Sequence, residues 1–342
     1  MSDEAQMRRP EAGRFVILRR MSETPVYRKY RRTLLSPQRV RELSQLRPAV
    51  AVRDTALCWL VIFACWIGVA VYPAWWTVLL AVVIIGTQAY ALMILAHDGL
   101  HRRLFNGVRA NDLFNDLCIV GSFGAITRIN NRNHLSHHQH LGSHEDPDRY
   151  KYICINKSTG LELLSYLIGA QVFVSIHNVL LGRRERTKAA VKSAKPGYVV
   201  RDLAILIGWQ AMLWTLGCLF IGWWAVPVLW YLPFFLFALL GDNFRTFAEH
   251  TVVGADHDAD DHRLITYVSN PIERLFFSPM NMNFHTAHHL WTSIPYYNLP
   301  TADAEIRVMP GAADLEWRTS YVGFAIRYWL AMPIEGCRVR RA

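Results

Sequence analysis

Eight histidines in three short motifs are the residues of this chain best suited to chemistry. Asn283 to Pro300 reads NFHTAHHLWTSIPYYNLP and holds His285, His288 and His289 in a His-x-x-His-His pattern. The same pattern occurs earlier as His134, His137 and His138 in NHLSHHQH, and His97 and His101 stand four apart in HDGLH. On a helix of 3.6 residues per turn, positions i, i+3 and i+4 fall within an arc of about 100°. Each triplet can therefore aim three imidazoles at one point, and the His97–His101 pair shares a face in the same way. Neutral imidazole is a common ligand for iron, zinc, copper and nickel. One helix cannot surround a metal, so the three motifs must converge. Eight imidazoles exceed the four ligands of a tetrahedral structural zinc, and suit two metals of higher coordination number.

The elements that must position these motifs are legible in the hydropathy. No charged residue occurs from Thr55 to Ala96 or from Leu203 to Gly241. A spanning helix needs about 20 mostly apolar residues. Each run is twice that length and carries a turn signal near its middle, Tyr72-Pro73-Ala74 in the first and Gly222 to Pro227 in the second. Each therefore reads as a helical hairpin. The expected spans are 56–71, 75–96, 203–221 and 224–240, and the fold class is an all-α integral membrane protein whose helical cap carries the histidines. Residues 1–54 read as a basic N-terminal arm, 55–300 as the membrane domain and 301–342 as a tail.

The net charge of +10 gathers in the N-terminal segment, at Arg102, Arg103, Arg128 and Arg132, from Arg183 to Lys195 and at the C-terminus, while the hairpin tips carry none. The positive-inside rule then puts both termini, the loops and the histidines in the cytoplasm. Anionic lipid head groups explain the basic balance better than nucleic acid, for which no other signal exists. The six cysteines show no CxxC spacing, so no disulfide framework is implied. No early apolar run follows the Arg-rich start, so a cleaved signal peptide is not expected.

The remaining six histidines carry weaker signals. The second hairpin runs on into GDNFRTFAEH, delivering His250 as the first hairpin delivers His97, which makes His250 a candidate ninth ligand. His140 falls off the ligand arc of its motif, and His144 follows Gly142, so places behind the ligands or at the surface suit both. His177 lies alone in Leu161 to Leu181, a stretch read as an interfacial helix. A crossing there would put the third motif across the membrane from the first two. His257 and His262 sit in ADHDADDHRL, read as a solvated turn. Leu113 to Thr127 is apolar but short, and reads as a re-entrant or interfacial piece.

Together HDGLH, HLSHH, FRTFAEH and FHTAHHLWTSIPYYNLP resemble the membrane fatty acid desaturase and hydroxylase superfamily over about Leu92 to Pro300. One such motif is weak; three in order, attached to two charge-free hairpins, are specific. The resemblance implies that His97, His101, His134, His137, His138, His285, His288 and His289 bind two non-haem irons, and that His250 matches the family's extra histidine. It also implies O2 as co-substrate and an acyl or other lipid substrate. Hydrogen would be removed from an unactivated carbon, giving a C=C bond or, in hydroxylases, ketolases and oxidative decarboxylases, another oxidised product. His285 stands where front-end desaturases carry Gln, which points away from that subgroup. No HPGG haem motif is present, so electrons would come from a separate ferredoxin-, rubredoxin- or cytochrome b5-like donor with its reductase. Asp98, Asp146, Asp242 and Glu249 are the carboxylates close enough in sequence to orient the histidine rings. Two other classes compete. A membrane zinc hydrolase would need a catalytic carboxylate beside fewer ligands, and HExxH is missing. A metal transporter would place ionisable residues inside the spans, and the charge-free runs argue against it.

Overall fold

The structure, a computed structural model, describes residues 25–143, 145–152, 164, 169, 173, 196–251 and 263–330. His144, His177, His257, His262 and all but three residues of the expected interfacial helix lie outside this set.

Short helices α1 (Pro25–Thr33) and α2 (Pro37–Leu43) precede the first long helix, α3 (Pro48–Val71), which pairs with α4 (Trp75–Leu100). Proline occupies the first turn of α2 and α3, where its missing N–H costs no helical bond. Consequently α3 begins well before the expected Ala56. After α5 (Val108–Cys118) and α6 (Thr127–His140), helix α7 (Pro196–Phe220) forms the third long apolar element. The fourth runs from Pro227 to His250 and is irregular. Residues Pro227–Tyr231 and Phe234–Leu239 are π-helical, and only α8 (Leu240–His250) is regular. Pro233, between the two wide turns, has no N–H to give, so the ladder there cannot close as i→i−4 bonds. These four helices are long and apolar enough to cross a membrane. Trp75 and Trp223, 78% and 76% exposed, mark the hairpin tips, where interfacial indoles are expected.

The cap is completed by strand β1 (Ile265–Tyr267), α9 (Pro271–Phe277), α10 (His285–Leu290), α11 (Leu299–Arg307), β2 (Glu316–Arg318) and α12 (Tyr321–Leu330). The two strands are a small addition to the expected all-helical cap; they pair in parallel with Ile265 opposite Glu316 and Tyr267 opposite Arg318. Of the expected tail, residues 301–330 are described and pack into the cap: Ile306 and Tyr321 are buried.

From the last turn of α5 to the start of α6 the backbone turns irregularly among the long helices. Its carbonyls are met by indoles: Trp59 Nε1 donates to Cys118 O at 2.8 Å, Trp209 Nε1 to Leu117 O at 2.9 Å and Trp230 Nε1 to Ser122 O at 3.2 Å. Away from water such carbonyls must find donors inside the protein. Trp59 also stacks on Trp209 and Trp230 at 4.9 and 5.4 Å, tying three of the long elements to this segment.

Candidate metal centre

The first motif sits at the last turn of α4, where regular helical bonding runs out and His97, Asp98 and Gly99 O accept instead from the amides of His101, Arg103 and Arg102. Three asparagines add donors to the carbonyls of this turn. Asn115 Nδ2 donates to Ala96 O at 3.2 Å, Asn111 Nδ2 to Gly99 O at 2.8 Å, and Asn131 Nδ2 to Leu100 O. Gly99 permits this approach, since a Cβ there would fall 2.3 Å from the Asn115 amide. The second motif lies on α6, which starts where Thr127 N donates to the buried Asp116 carboxylate at 2.8 Å. The third opens α10, and β1 holds its approach: Tyr267 N donates to Asn283 O at 3.0 Å and Asn283 Nδ2 returns to Tyr267 O at 2.8 Å. His250 ends α8.

These four positions converge into two adjoining groups. His97, His101, His134, His138 and His288 form one, and His137, His250 and His289 the other, with the ligand atoms of each group within 4.8 Å of one another. The groups touch at His138 and His289, whose rings are 4.2 Å apart. His285 belongs to neither by that measure, yet its Nε2 is 2.9 Å from His250 Nε2, at the edge of the second group. All nine histidines expected as ligands are therefore gathered in one place. His140 is not; its Nδ1 pairs with Glu145 at 3.1 Å on the surface.

The residues present fit metal ions. Nε2 atoms approach in pairs: His101–His134 at 2.7 Å, His134–His138 at 3.1 Å and His138–His288 at 3.2 Å. Imidazoles bonded to a first-row divalent metal at about 2.1 Å, at right angles, would stand about 3.0 Å apart. His289 Nε2 is buried with no hydrogen-bond partner, a costly state for a polar atom that a metal would relieve. Burial and the neighbouring imidazoles push the pKa values of His101, His138, His285, His288 and His289 well down, and His134 falls to about 3. At neutral pH these rings are thus uncharged and ready to ligate.

Outer contacts fix several rings. His137 Nδ1 lies 3.0 Å from both oxygens of Asp146, which also accepts from Tyr152 Oη. His250 Nδ1 donates to Arg263 O at 3.0 Å, leaving Nε2 to face the group. Tyr27 Oη is 3.2 Å from His289 Nδ1. His285 Nδ1 is 3.2 Å from Glu249 Oε2, though off the angle a hydrogen bond needs. Glu249 in turn accepts from Arg245 at 2.9 Å and Tyr321 at 2.7 Å. Of the four candidate carboxylates, then, Asp146 and Glu249 meet histidines. Asp98 instead accepts from Tyr296 N at 2.8 Å, tying the first motif to the IPYYNLP segment, and Asp242 pairs with Lys151 and Arg245.

Tyr27, Tyr152, Arg263 and Tyr321 carried no signal in the sequence. Tyr27 and Tyr321 reach the site from distant segments, across 262 and 72 residues, whereas Tyr152 and Arg263 lie 6 and 13 residues from their partners.

Two hairpins ending on the His97–His101 pair and on His250, and two cap helices meeting them at one point, agree with the family match: the fatty acid desaturase family model covers residues 73–321. The chain belongs to the fatty acid desaturase family. It is similar to a dihydrorhizobitoxine desaturase from Bradyrhizobium elkanii, 26% identical over 80% of this chain and 81% of that protein. It is also similar to an sn-1 acyl-lipid omega-3 desaturase (ferredoxin) from Nostoc sp. (strain 36), at 24% over 66% of each chain. A beta-carotene ketolase from Paracoccus sp. (strain N81106 / MBIC 01143) matches at 24% over 70% of this chain and 88% of its own. This desaturase-family enzyme is an integral membrane oxidoreductase, with its histidines clustered outside the apolar parts of its four long helices.

Proposed function

We propose that the protein is an O2-dependent acyl-lipid desaturase that introduces a C=C bond into a fatty acyl chain. The observation that carries this reading is the pair of adjoining histidine groups built on the ends of α4 and α8 and on the cap helices α6 and α10, beside four long apolar helices. His97, His101, His134, His138 and His288 would hold one iron; His137, His250 and His289, with His285 beside them, the other. When bound, the irons would supply activation of O2 and the oxidising power to take hydrogen from an unactivated C–H bond.

The chain's own contribution is placement. Asp146, Arg263 O and Tyr27 orient His137, His250 and His289 from outside the groups. The third-motif histidines are 4% exposed or less, which keeps bulk water from the reacting centre. An apolar cleft of about 310 Å³, lined by Leu236, Phe237, Leu240, Phe244, Phe276 and Phe277, opens beside α8 and suits an alkyl chain. The similarity to an acyl-lipid desaturase favours a lipid-linked acyl substrate, and that relative's name supports a ferredoxin-type donor here. The basic loops favour a cytoplasmic site with both termini on that side. The similarity to a carotene ketolase supports a second reading, oxygen insertion into an isoprenoid chain.

The test is metal content together with product. Detergent-purified protein is expected to hold two irons per chain, largely lost in the His288→Ala, His289→Ala double variant. Supplied with ferredoxin, its reductase and O2, wild type is expected to convert membrane lipids to species 2 mass units lighter by mass spectrometry, the loss of two hydrogens. Products 14 or 16 units heavier would establish ketolation or hydroxylation instead, and zinc in place of iron would overturn the reading.

A further inference from the structure

A groove of about 430 Å³ lies between α4 and the segment that leads into the third histidine motif, with Gln88, Ala91, Arg274, Leu275, Met280 and Asn281 among its walls. Most of its surroundings are apolar, yet it holds a guanidinium. Arg274 Nε is buried without a hydrogen-bond partner, and among the described residues no carboxylate pairs with this side chain. Arg245, whose Nε likewise lacks a partner, differs in that its two terminal nitrogens pair with Asp242 and Glu249. A partly buried cation with an unmet donor is costly unless an anion reaches it.

The flanking helix sets exposed apolar side chains beside this cation. On α9, Ile272 and Leu275 are 71% and 45% exposed, as expected of side chains in contact with acyl chains. The floor of the groove points to the histidines. Ala91 precedes His97 by six residues of one helix, a rise of about 9 Å, and Asn281 precedes His285 by four. Met280 and Asn281 both adopt left-handed backbone, φ 53° and 60°. Two such non-glycine residues in succession carry strain that usually marks a functional turn. The turn sets the end of the groove against the start of α10.

We propose that this groove binds the anionic end, carboxylate or phosphate, of an amphiphile whose apolar chain runs along α4 toward the histidines, with Arg274 as its counter-ion. The Gln88 and Asn281 amides, each with one N–H given to Thr87 Oγ1 and Tyr296 O, keep a second N–H as a further donor, and Ala91, Leu275 and Met280 line the path of the chain. Taking the bound amphiphile as substrate rests on the oxidation chemistry proposed above, so the test reads binding without turnover.

Native mass spectrometry of the detergent-purified protein, titrated with oleate, oleyl alcohol or dioleoyl phosphatidate, measures it directly. An anionic lipid is expected to bind and the alcohol of equal length to fail. Arg274→Gln should weaken binding by about 10- to 150-fold, the range for losing a charge-assisted hydrogen bond, and Arg274→Lys by less. Preference for oleate would identify a free carboxylate as the ligand, and preference for phosphatidate a lipid head group; either supports the site. Equal binding of oleate and oleyl alcohol, or wild-type binding by Arg274→Gln, overturns it. Should Arg274→Gln fail to fold, Leu275→Trp decides: it enlarges a lipid-exposed wall of the groove and should weaken binding of the same anion without altering charge, and unchanged binding would count against the site. The His288→Ala protein is expected to bind as wild type does, which keeps this outcome separate from that of the metal reading.

Discussion

Replacing Asp146 with asparagine removes one charge beside the three-histidine group while keeping the side chain's shape. In the structure this carboxylate faces only donors: His137 Nδ1 at 3.0 Å, the Asp148 amide at 2.8 Å and the Tyr152 hydroxyl. It is 5% exposed, so water cannot take over. Asparagine has a single acceptor oxygen, and turning it toward His137 sets its NH2 against Tyr152, while turning it away leaves His137 unoriented. A hydrogen bond to a charged group contributes about 1.5–3 kcal/mol, a factor of about 10 to 150 in an equilibrium constant. Measured losses from removing a ring-orienting partner are typically about 10- to 100-fold in metal affinity or activity. Asp146→Asn should therefore lose the metal of His137, His250 and His289 first, so that dialysis against a chelator brings the content toward one iron per chain by elemental analysis. Asp303→Asn is the control. That carboxylate is equally buried, but bonds to Trp317 and Arg307 at 3.1 and 2.6 Å and to no histidine; its loss should lower stability and leave metal affinity alone. Wild-type chelator resistance in Asp146→Asn would refute the assignment of His137 as a ligand oriented by Asp146.

Two further outcomes follow from the same geometry. Tyr321→Phe removes a 2.7 Å hydrogen bond to the fully buried Glu249 and should cost about 1–3 kcal/mol, seen as a lower melting temperature in detergent; an unchanged melting temperature would count against the Glu249 network as a stabilising element. Metal-free protein should also lose stability as pH falls below about 6.5, the unfolded histidine value. The depressed pKa values, about 3 at His134, mean that the unfolded chain takes up protons that the folded site excludes, so stability rises with pH through this window. Each such histidine contributes up to about 1.4 kcal/mol per pH unit. Melting curves from pH 7.5 to 5.5 that moved upward would contradict neutral, buried rings.

The sequence by itself determined the parts of this protein that depend on near neighbours. Helical periodicity puts His134, His137 and His138 on one face regardless of what surrounds them. The charge-free runs define four long helices because the bilayer sets a length and excludes charge. His250 was legible because it follows the second hairpin as His97 follows the first. Tertiary structure alone decided how the histidines divide. His288 joins the group of His97 while its neighbour His289 joins that of His250, since adjacent residues on a helix point about 100° apart and two different surfaces meet α10. The orienting carboxylates were half legible. Asp146 and Glu249 lie close to their histidines along the chain, but so does Asp98, and only packing turned it toward Tyr296. Tyr27, Arg263 and Tyr321 were invisible, because a lone tyrosine or arginine has no periodicity to declare it. Their roles arise when α1, the residues leading into β1, and α12 close over the site. The start of α3 at Pro48 was hidden for a related reason: Arg53 and Asp54 end the charge-free run, but they do not end the helix.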